Sequence, residues 1–299
     1  MVTLVGTGAL ATLLAARLGT IVSVTVLGTW AEALAAFRER GSTLETPEGT
    51  KSVPVAATAD PADCLGARLA FVLVKAGATA RAAGMIRSFL APDGVAVTLQ
   101  NGLGNSETLA AALGTERVVT GAAEVGATLV SAGRVRAGGG TRIRLAAHPR
   151  AAEVEALLGR AGFDVSVVPD AARLVWEKLS VTAPLLPLTA LLGVTNGEIL
   201  LRRSACELLE TAAREVVAVA GAAGIELPAG DPGEAARRVA LSTAGNVSSM
   251  LQDVRRGVPT EVDAINGAVV AAARRLGVPA PVNETLWLAV RALAERGAA

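Results

Sequence analysis

The sequence predicts an α/β fold in which a mainly parallel sheet, with helices on its faces, is followed by an all-α region. In the first hundred residues, short apolar runs of strand length alternate with helical segments, which is the pattern of a parallel sheet. Residues 117–147 alternate Val, Thr and Arg between glycines, which indicates an antiparallel extension of that sheet. From about Ala171 onward Ala, Leu, Arg and Glu dominate, so the remainder is predicted to be helical.

The order of the elements follows from these runs. Residues 2–5 form the first strand, and an Ala/Leu helix continues to about Leu18. Further elements are expected as a strand at Val22–Leu27, a helix at Ala31–Arg40, and strands at Leu69–Val74 and Val95–Leu99. A boundary is expected near 166–172, which divides the chain into domains 1–168 and 169–299.

Two segments of the second domain raise the question of assembly. The Ala-rich helices Ala212–Ala223 and Ala268–Leu276 could pack within the domain or across a homodimer, and packing within the domain is the favoured interpretation. The apolar segment Leu286–Leu293 is expected to close the domain.

Composition excludes several classes of partner and site. The 299 residues carry 28 Lys and Arg against 27 Asp and Glu, so the net charge of +1 gives no electrostatic reason to expect nucleic acid as a partner. The two cysteines, Cys64 and Cys206, and the single histidine, His148, provide neither a disulfide framework nor a zinc site, and no metal site is indicated. Because the chain has no Tyr and His148 lies in a polar stretch, an enzyme with this sequence must move protons with Lys and carboxylates.

Hydropathy patterning does not predict a membrane protein. Apolar residues make up 52% of the chain, but Arg, Asp or Glu interrupts nearly every long apolar segment. Arg17 ends the first apolar run before 18 residues accumulate, and no basic segment precedes that run. We therefore expect neither a signal peptide nor a membrane span, and a cytoplasmic location.

A glycine-rich turn follows the first strand. Gly6-x-Gly8-x-x-Ala11 matches the dinucleotide-binding fingerprint, in which two glycines permit a tight turn and a close phosphate, and a small third residue lets helix and strand pack. The N–H groups that begin the helix would then face the phosphates. This predicts a Rossmann-type domain whose cofactor contacts include Gly6, Thr7, Gly8, Ala9, Leu10 and Ala11; an ordinary strand–helix turn is the alternative.

The end of the second strand is expected to determine cofactor choice. An acidic residue there would bind the ribose 2′-hydroxyl of NAD, and a basic residue would favour NADP. Gly28-Thr29-Trp30 provides neither, although Thr29 could donate one hydrogen bond to a phosphate. The choice between NADPH and NADH therefore stays open from the residues alone.

Further segments occur in a recognisable order and spacing over nearly the whole chain. They are Val74-Lys75, Leu99–Asn105, Trp176–Leu179 with Pro187–Leu191 and Asn196–Glu198, and Ser248–Asp253 with Thr260–Gly267. Together with the glycine turn they resemble the ketopantoate reductase (2-dehydropantoate 2-reductase) family. The resemblance implies a Rossmann domain followed by an all-helical domain, an active site in the cleft between them, and NADP(H) favoured over NAD(H).

The resemblance also implies roles for single residues. Lys178 matches the catalytic lysine that hydrogen-bonds the substrate carbonyl and supplies the proton, and Glu261 matches its carboxylate partner. The other matches are Lys75 near the cofactor, Asn101 near both nicotinamide and substrate, and Asn196, Ser249 and Asp253 on the substrate side.

The chemistry agrees with the first of these roles, since hydride delivery to a carbonyl puts negative charge on oxygen, which an ammonium can stabilise and protonate. Taken alone, Lys75 and Lys178 would be ordinary solvated charges. By the same reasoning Glu261 would be a helix-surface acid, and Ser248-Ser249 could be a helix cap.

Two positions depart from the family pattern. The family usually has Lys-Leu-x-Val-Asn with a second Asn four residues later, whereas Thr182 and Leu186 occupy those two positions here, with Pro184 between them. A substrate hydroxyl that loses its amide partner costs roughly 1–3 kcal/mol, and Leu186 is expected to make the substrate pocket more apolar. The basic residue that the family usually carries near Thr29 is also absent.

The expected activity is NAD(P)H-dependent reduction of a small 2-oxo acid, with ketopantoate as the leading substrate and pantoate, of pantothenate biosynthesis, as the product. The departures leave a same-fold reductase of another carbonyl or imine in secondary metabolism as an alternative. A non-catalytic cofactor-binding protein is the other alternative, and the retained Lys178 and Glu261 argue against it.

Overall fold

The computed structural model describes residues 1–295. Its strands are β1 Val2–Val5, β2 Val24–Leu27, β3 Ser42–Thr46, β4 Gly49–Val53, β5 Ala56–Thr58, β6 Ala67–Val72, β7 Leu90–Thr98, β8 Val118–Ser131, β9 Arg134–Ala146 and β10 Asp164–Val168. Its α-helices are α1 Ala9–Leu18, α2 Ala31–Arg40, α3 Thr79–Phe89, α4 Asn105–Leu113, α5 Ala151–Arg160, α6 Ala171–Leu192, α7 Arg203–Ala222, α8 Pro232–Ser242, α9 Ser249–Arg255, α10 Ala268–Leu276 and α11 Pro281–Glu295.

One sheet contains the ten strands of residues 1–295. Its order is β4-β3-β9-β8-β7-β6-β1-β2-β5, with β10 paired to β9. β1 lies between β2 and β6 and is parallel to both, while β8 begins parallel to β7 and continues antiparallel to β9. The predicted parallel sheet with an antiparallel extension is therefore confirmed. Because the strand order reverses direction at β1, the carboxyl end of β1 is where such sheets bind ligands.

Several element boundaries differ from the prediction. The helices α1 and α2 lie where they were expected, but β2 begins at Val24, because the N–H groups of Ile21 and Val22 both bond to the Leu18 carbonyl in the turn after α1. β6 spans Ala67–Val72, two residues earlier than predicted, and β7 begins at Leu90 instead of Val95.

The chain divides into two compact units. The first contains Met1–Gln100 and Asn105–Ala171, and the second contains Asn101–Gly104 and Ala172–Ala299. All ten strands belong to the first unit. As a functional division, 1–168 and 169–299 stays a prediction.

Helices cover both faces of the sheet in the first unit. On one face Leu14, Phe37 and Leu158 of three different helices pack with Phe71 and Val97 of the strands. The opposite face holds a second cluster, in which α3 and α4 pack on the other side chains of the same strands. The central strands are therefore covered on both faces, which explains why each of them is a continuous apolar run in the sequence.

The second unit is built around α6, which contains two prolines, Pro184 and Pro187. Pro187 has no N–H, so the carbonyl of Ala183 loses the donor that a helix normally provides. The side-chain amide of Asn266 donates to that carbonyl at 2.8 Å. Asn266 lies in a π-helical turn, Asp263–Gly267, whose Gly267 N–H bonds to the Val262 carbonyl.

A buried polar network continues from Asn266. Its amide also donates to Asn283 Oδ1 at 3.1 Å, and the Asn283 amide donates to the Ala212 carbonyl at 3.0 Å and to Glu215 at 2.7 Å. Glu215 in turn accepts the N–H groups of Val282 and Asn283, which lie in the first turn of α11. This network connects α6, α7, α11 and the π-helical turn.

The Ala-rich helices pack inside the second unit. Ala212 and Ala213 of α7 and Ala272 and Ala273 of α10 are buried within the chain itself, which confirms the favoured interpretation. In α11, Asn283, Leu286 and Val290 are buried as well.

None of the helices in residues 1–295 is long and apolar enough to cross a membrane. Cys64 and Cys206 are buried free thiols, and burial raises the pKa of the Cys64 thiol.

Candidate functional site

The glycine turn of the first unit has a geometry that only glycine allows. Gly6 has φ +130°, and a β-carbon there would lie 2.8 Å from the Leu73 carbonyl oxygen. The Gly6 N–H bonds to the Leu27 carbonyl at 2.8 Å, and the Leu73 N–H bonds to the Val5 carbonyl at 2.8 Å. The carboxyl ends of β1, β2 and β6 therefore meet around this turn.

The start of α1 is open and fits a phosphate. Gly8 occupies the N-cap position, no side chain caps the helix, and its first turn has no acidic residue. A β-carbon on Gly8 would meet no atom within 4 Å, so the space above the turn is free for a ligand to approach the backbone. The N–H groups and positive dipole end of α1 favour an anion there, while buried Ala11 lets α1 pack on the sheet.

Two predicted cofactor residues lie at the ends of the strands that flank β1. Thr7 packs on Gly28, where a β-carbon would lie 2.5 Å from Thr7 Cγ2. Thr29 follows β2 and is exposed, and Lys75 is exposed at the N-cap of a short 3-10 helix that follows β6. The structure thus brings the glycine turn, Thr29 and Lys75 to one edge of the sheet. Their contacts with a cofactor stay a prediction.

A polar network at the ends of β6 and β7 was missed by the sequence reasoning. The Gln100 amide donates to the Val74 carbonyl and to Thr79 Oγ1, both at 2.8 Å, and its oxygen accepts from Thr98 Oγ1 at 2.9 Å. Thr79 donates to Asn105 Oδ1 at 2.8 Å. Gln100 thereby holds the backbone of Val74, the residue before Lys75, in place. The only feature of the sequence that could have pointed to this role is that Gln100 directly precedes Asn101.

The second unit brings Asn101 and Glu261 together. The Asn101 amide donates to Glu261 Oε2 at 3.2 Å, and the Leu103 N–H donates to the Ala264 carbonyl at 3.0 Å. Gly102 has φ +85°, and a β-carbon there would lie 2.3 Å from the Ala264 oxygen. Asn101–Gly104 therefore lies directly on the segment that carries Glu261, and only glycine at position 102 permits this approach.

Lys178 lies on a helix that is packed against the same segment. Leu179, Ala183 and Leu186 of α6 belong to one apolar cluster with Val262 and Ile265. Lys178 is half-buried, and its carbonyl accepts a hydrogen bond from Thr182 Oγ1 at 3.1 Å. Because Asn266 bonds to the Ala183 carbonyl as well, the positions of Lys178 and Glu261 are fixed within one unit.

The two positions that depart from the family pattern differ in their surroundings. Thr182 is half-buried and bonds to its own helix, and Leu186 is 8% exposed within the apolar cluster just described. A substrate contact for either residue stays a prediction.

The adjacent serines Ser248 and Ser249 have different environments. Ser248 is buried and caps α9, since its Oγ accepts the Leu251 N–H at 3.1 Å and the Thr189 hydroxyl at 2.6 Å. Ser249 is exposed in the first turn. The cap alternative is therefore correct for Ser248, and a substrate contact for Ser249 stays a prediction.

The remaining predicted substrate residues are more enclosed. Asp253 is 1% exposed and ion-paired with Arg256 at 3.2 Å. The Asn196 amide donates to Thr243 Oγ1 at 2.9 Å, and its buried carbonyl oxygen has no hydrogen-bond partner within residues 1–295. A role in substrate binding stays a prediction for both.

His148 has a structural environment. Its Nδ1 accepts the Arg150 N–H at 3.0 Å, so Nε2 carries the proton and donates to the Glu116 carbonyl at 2.9 Å. Both ring nitrogens are thus used by neighbouring backbone groups.

Two family models match most of the chain. The model described as ketopantoate reductase PanE/ApbA matches residues 2–150, and the model of its C-terminal part matches residues 170–294. A 2-dehydropantoate 2-reductase of Halobacterium salinarum is 40% identical over 97% of each chain. The chain belongs to the ketopantoate reductase family.

Other ketopantoate reductases agree in sequence and fold. A 2-dehydropantoate 2-reductase of Archaeoglobus fulgidus is 37% identical over 78% of each chain. The crystal structure of a PanE/ApbA family ketopantoate reductase from Ralstonia eutropha superposes with a TM-score of 0.91 at 28% identity, over all of both chains. The family resemblance and the predicted fold class, a Rossmann domain followed by a helical domain, are therefore confirmed.

Proposed function

We propose that this ketopantoate reductase family member reduces the keto group of 2-dehydropantoate (ketopantoate) to a secondary alcohol, giving pantoate. The observation that carries the proposal is the hydrogen bond from Asn101 to Glu261, on a segment packed against the helix of Lys178. The names of the relatives, 2-dehydropantoate 2-reductase, support the same substrate. No structural observation within residues 1–295 favours another carbonyl, an imine or a non-catalytic role.

The reaction needs a hydride at the keto carbon and a proton at the keto oxygen. A reduced nicotinamide dinucleotide, when bound, supplies the hydride. Lys178 holds its ammonium at the keto oxygen, stabilises the negative charge that develops there, and gives that oxygen its proton. Glu261 orients Lys178, and Asn101 holds Glu261 in place through its amide. The carbonyl thereby gains one hydride and one proton and becomes CH–OH.

Binding of the dinucleotide is assigned to the first unit. Its pyrophosphate would be held by the residues of the glycine turn, Gly6–Ala11, and Lys75 lies at the adjacent strand end. The family resemblance favours NADP(H), with NAD(H) as the alternative, and we propose a cytoplasmic enzyme whose partners are these small molecules.

The first test is steady-state oxidation of NADH and of NADPH by the purified protein with ketopantoate as substrate. A kcat/KM of about 10⁴ M⁻¹s⁻¹ or more with the better cofactor is expected. Cofactor binding with negligible turnover of ketopantoate, but turnover in a panel of other 2-oxo acids, ketones or imines, would reject ketopantoate as the substrate.

Glu261→Gln is expected to lower kcat by about 10²-fold, the lower end of what a positioned acid–base group contributes. Gln keeps an oxygen that can accept the Asn101 amide, so the loss reports the charge of Glu261 and not the packing of Asn101–Gly104. Stopped-flow hydride transfer and the KM for cofactor would be measured, and the KM should be unchanged. Glu226→Gln, at an exposed position of the same unit, serves as the control. A kcat equal to that of the control would remove Glu261 from the mechanism.

The two adjacent serines should separate binding from stability. Ser249→Ala is expected to raise the KM for ketopantoate about tenfold, because it removes one hydrogen bond to a charged group, while the melting temperature stays constant. Ser248→Ala should leave the KM unchanged and lower the free energy of unfolding by about 1 kcal/mol, because the cap of α9 is lost. A higher KM in Ser248→Ala together with a lower free energy of unfolding in Ser249→Ala would show that the two serines have the opposite roles.

A further inference from the structure

The charged groups near the end of β2 are acidic. Thr29, where cofactor choice is decided in dinucleotide-binding folds, is uncharged and exposed. Glu32 lies in the first turn of α2, three residues further on. Residues 28–37 and 56–66, which form the ends of β2 and β5 and the segments after them, contain no Lys or Arg.

Two carboxylates follow the neighbouring strand. The Gly28 N–H donates to the Thr58 carbonyl at 3.1 Å, so the end of β5 lies beside the end of β2. The Thr58 hydroxyl donates to Asp63 Oδ2 at 2.5 Å and accepts the Asp60 N–H at 3.0 Å. Asp60 and Asp63 are both exposed, and none of Glu32, Asp60 and Asp63 forms an ion pair within residues 1–295.

The first cation along α2 faces away from this place. Arg38 donates its Nε to the Ala57 carbonyl at 2.8 Å. Successive carbonyls of a strand point to opposite sides, and the Thr58 carbonyl faces β2, so the Ala57 carbonyl faces the free edge of β5. Arg38 is therefore held at the outer edge of the sheet, and it forms no ion pair with Glu32, Asp60 or Asp63 within residues 1–295.

We infer that this chain binds NADH in preference to NADPH, with Thr29 as the residue that meets the ribose 2′-hydroxyl. A hydroxyl side chain can donate to or accept from a ribose hydroxyl. The 2′-phosphate of NADPH would instead bring about two negative charges near three carboxylates, and residues 28–37 and 56–66 offer no Lys or Arg to pair with them. The inference rests on the proposed function for the presence of a nicotinamide cofactor and departs from the cofactor that the resemblance favours.

Calorimetric titration of the unaltered enzyme with NADH and NADPH, without substrate, tests the inference. NADH is expected to bind at least tenfold more tightly, and the difference should shrink as salt is added, because the repulsion acts between exposed charges. Equal binding, or tighter binding of NADPH, would overturn the inference.

Thr29→Arg should lower the dissociation constant of NADPH at least tenfold and change that of NADH much less. Asp60→Asn with Asp63→Asn should reduce the discrimination without adding a cation. Thr50→Arg, which adds the same charge at an exposed position of β4 outside the segments that follow β2 and β5, should leave both constants unchanged. If Thr50→Arg and Thr29→Arg lowered the dissociation constant of NADPH by the same factor, the change would come from the net charge of the protein. That result would overturn the role of Thr29.

These titrations also separate the inference from the proposed function. Preferential NADH binding with no reduction of ketopantoate would overturn the proposed function alone. Reduction of ketopantoate with NADPH preferred in binding would overturn this inference alone.

Discussion

Lys178→Ala is expected to lower kcat for ketopantoate by roughly 10³-fold or more, while the dissociation constant of the cofactor changes little. The substitution removes both the charge that stabilises the developing oxyanion and the proton that it receives. The glycine turn and the strand ends assigned to the cofactor belong to the other unit, so their geometry should be unaffected. Single-turnover hydride transfer and calorimetric cofactor titration would measure the two quantities separately.

Two further variants of α6 sharpen this result. Arg173→Ala, which breaks a surface ion pair with Glu177 one turn earlier, controls for disturbance of the helix and should retain full activity. Lys178→Arg keeps a positive charge but cannot release a proton near neutral pH, so it should recover only part of the loss. If Lys178→Ala lost less than tenfold in the chemical step, the proton would have to come from another group.

Asn266→Ala is expected to lower the free energy of unfolding of the helical unit by about 3 kcal/mol. It leaves the Ala183 carbonyl and Asn283 Oδ1 without their donor in a buried site, and each such loss costs about 1–3 kcal/mol. Urea unfolding followed by far-UV circular dichroism would measure the change.

A double-mutant cycle with Pro187→Ala tests the cause. The substituted alanine has an N–H that can reach the Ala183 carbonyl along the helix, so Asn266→Ala should cost clearly less in that background. If the cost were the same in both backgrounds, the amide of Asn266 would not be replacing the donor that Pro187 lacks.

The sequence predicted the elements that contain a clear apolar run. β1, α1 and α2 lie where those runs place them, because β1 and α1 are almost wholly buried and α2 buries one face against the core. The hairpin of β3 and β4 was not predicted, since its residues are mostly polar and only partly buried at the edge of the sheet. β5 is three residues long, which is too short for a period to appear.

Sequence motifs identified the residues of the candidate site, but they did not predict which of those residues contact one another. Asn101 and Glu261 were named because they match the family pattern, and the structure shows that their side chains bond to each other although 160 residues separate them. Which of Ser248 and Ser249 caps α9 depends on the direction of each side chain, which no one-dimensional pattern contains. The role of Asn266 follows from a missing N–H in a distant helix, so it is visible only once α6 and the π-helical turn are packed together.

Because of the segment Asn101–Gly104, no single cleavage of the chain separates the two units. It lies between strands and helices of the first unit in sequence, yet it belongs to the second unit in space. A fragment that begins after residue 168 would lack Asn101–Gly104, which donates hydrogen bonds to the Ala264 carbonyl and the Glu261 carboxylate. The helical unit of such a fragment would therefore be incomplete. Chimaeras between relatives should therefore exchange this tetrapeptide together with the C-terminal half, and a gene split at residue 168 should regain activity only when both halves are expressed together.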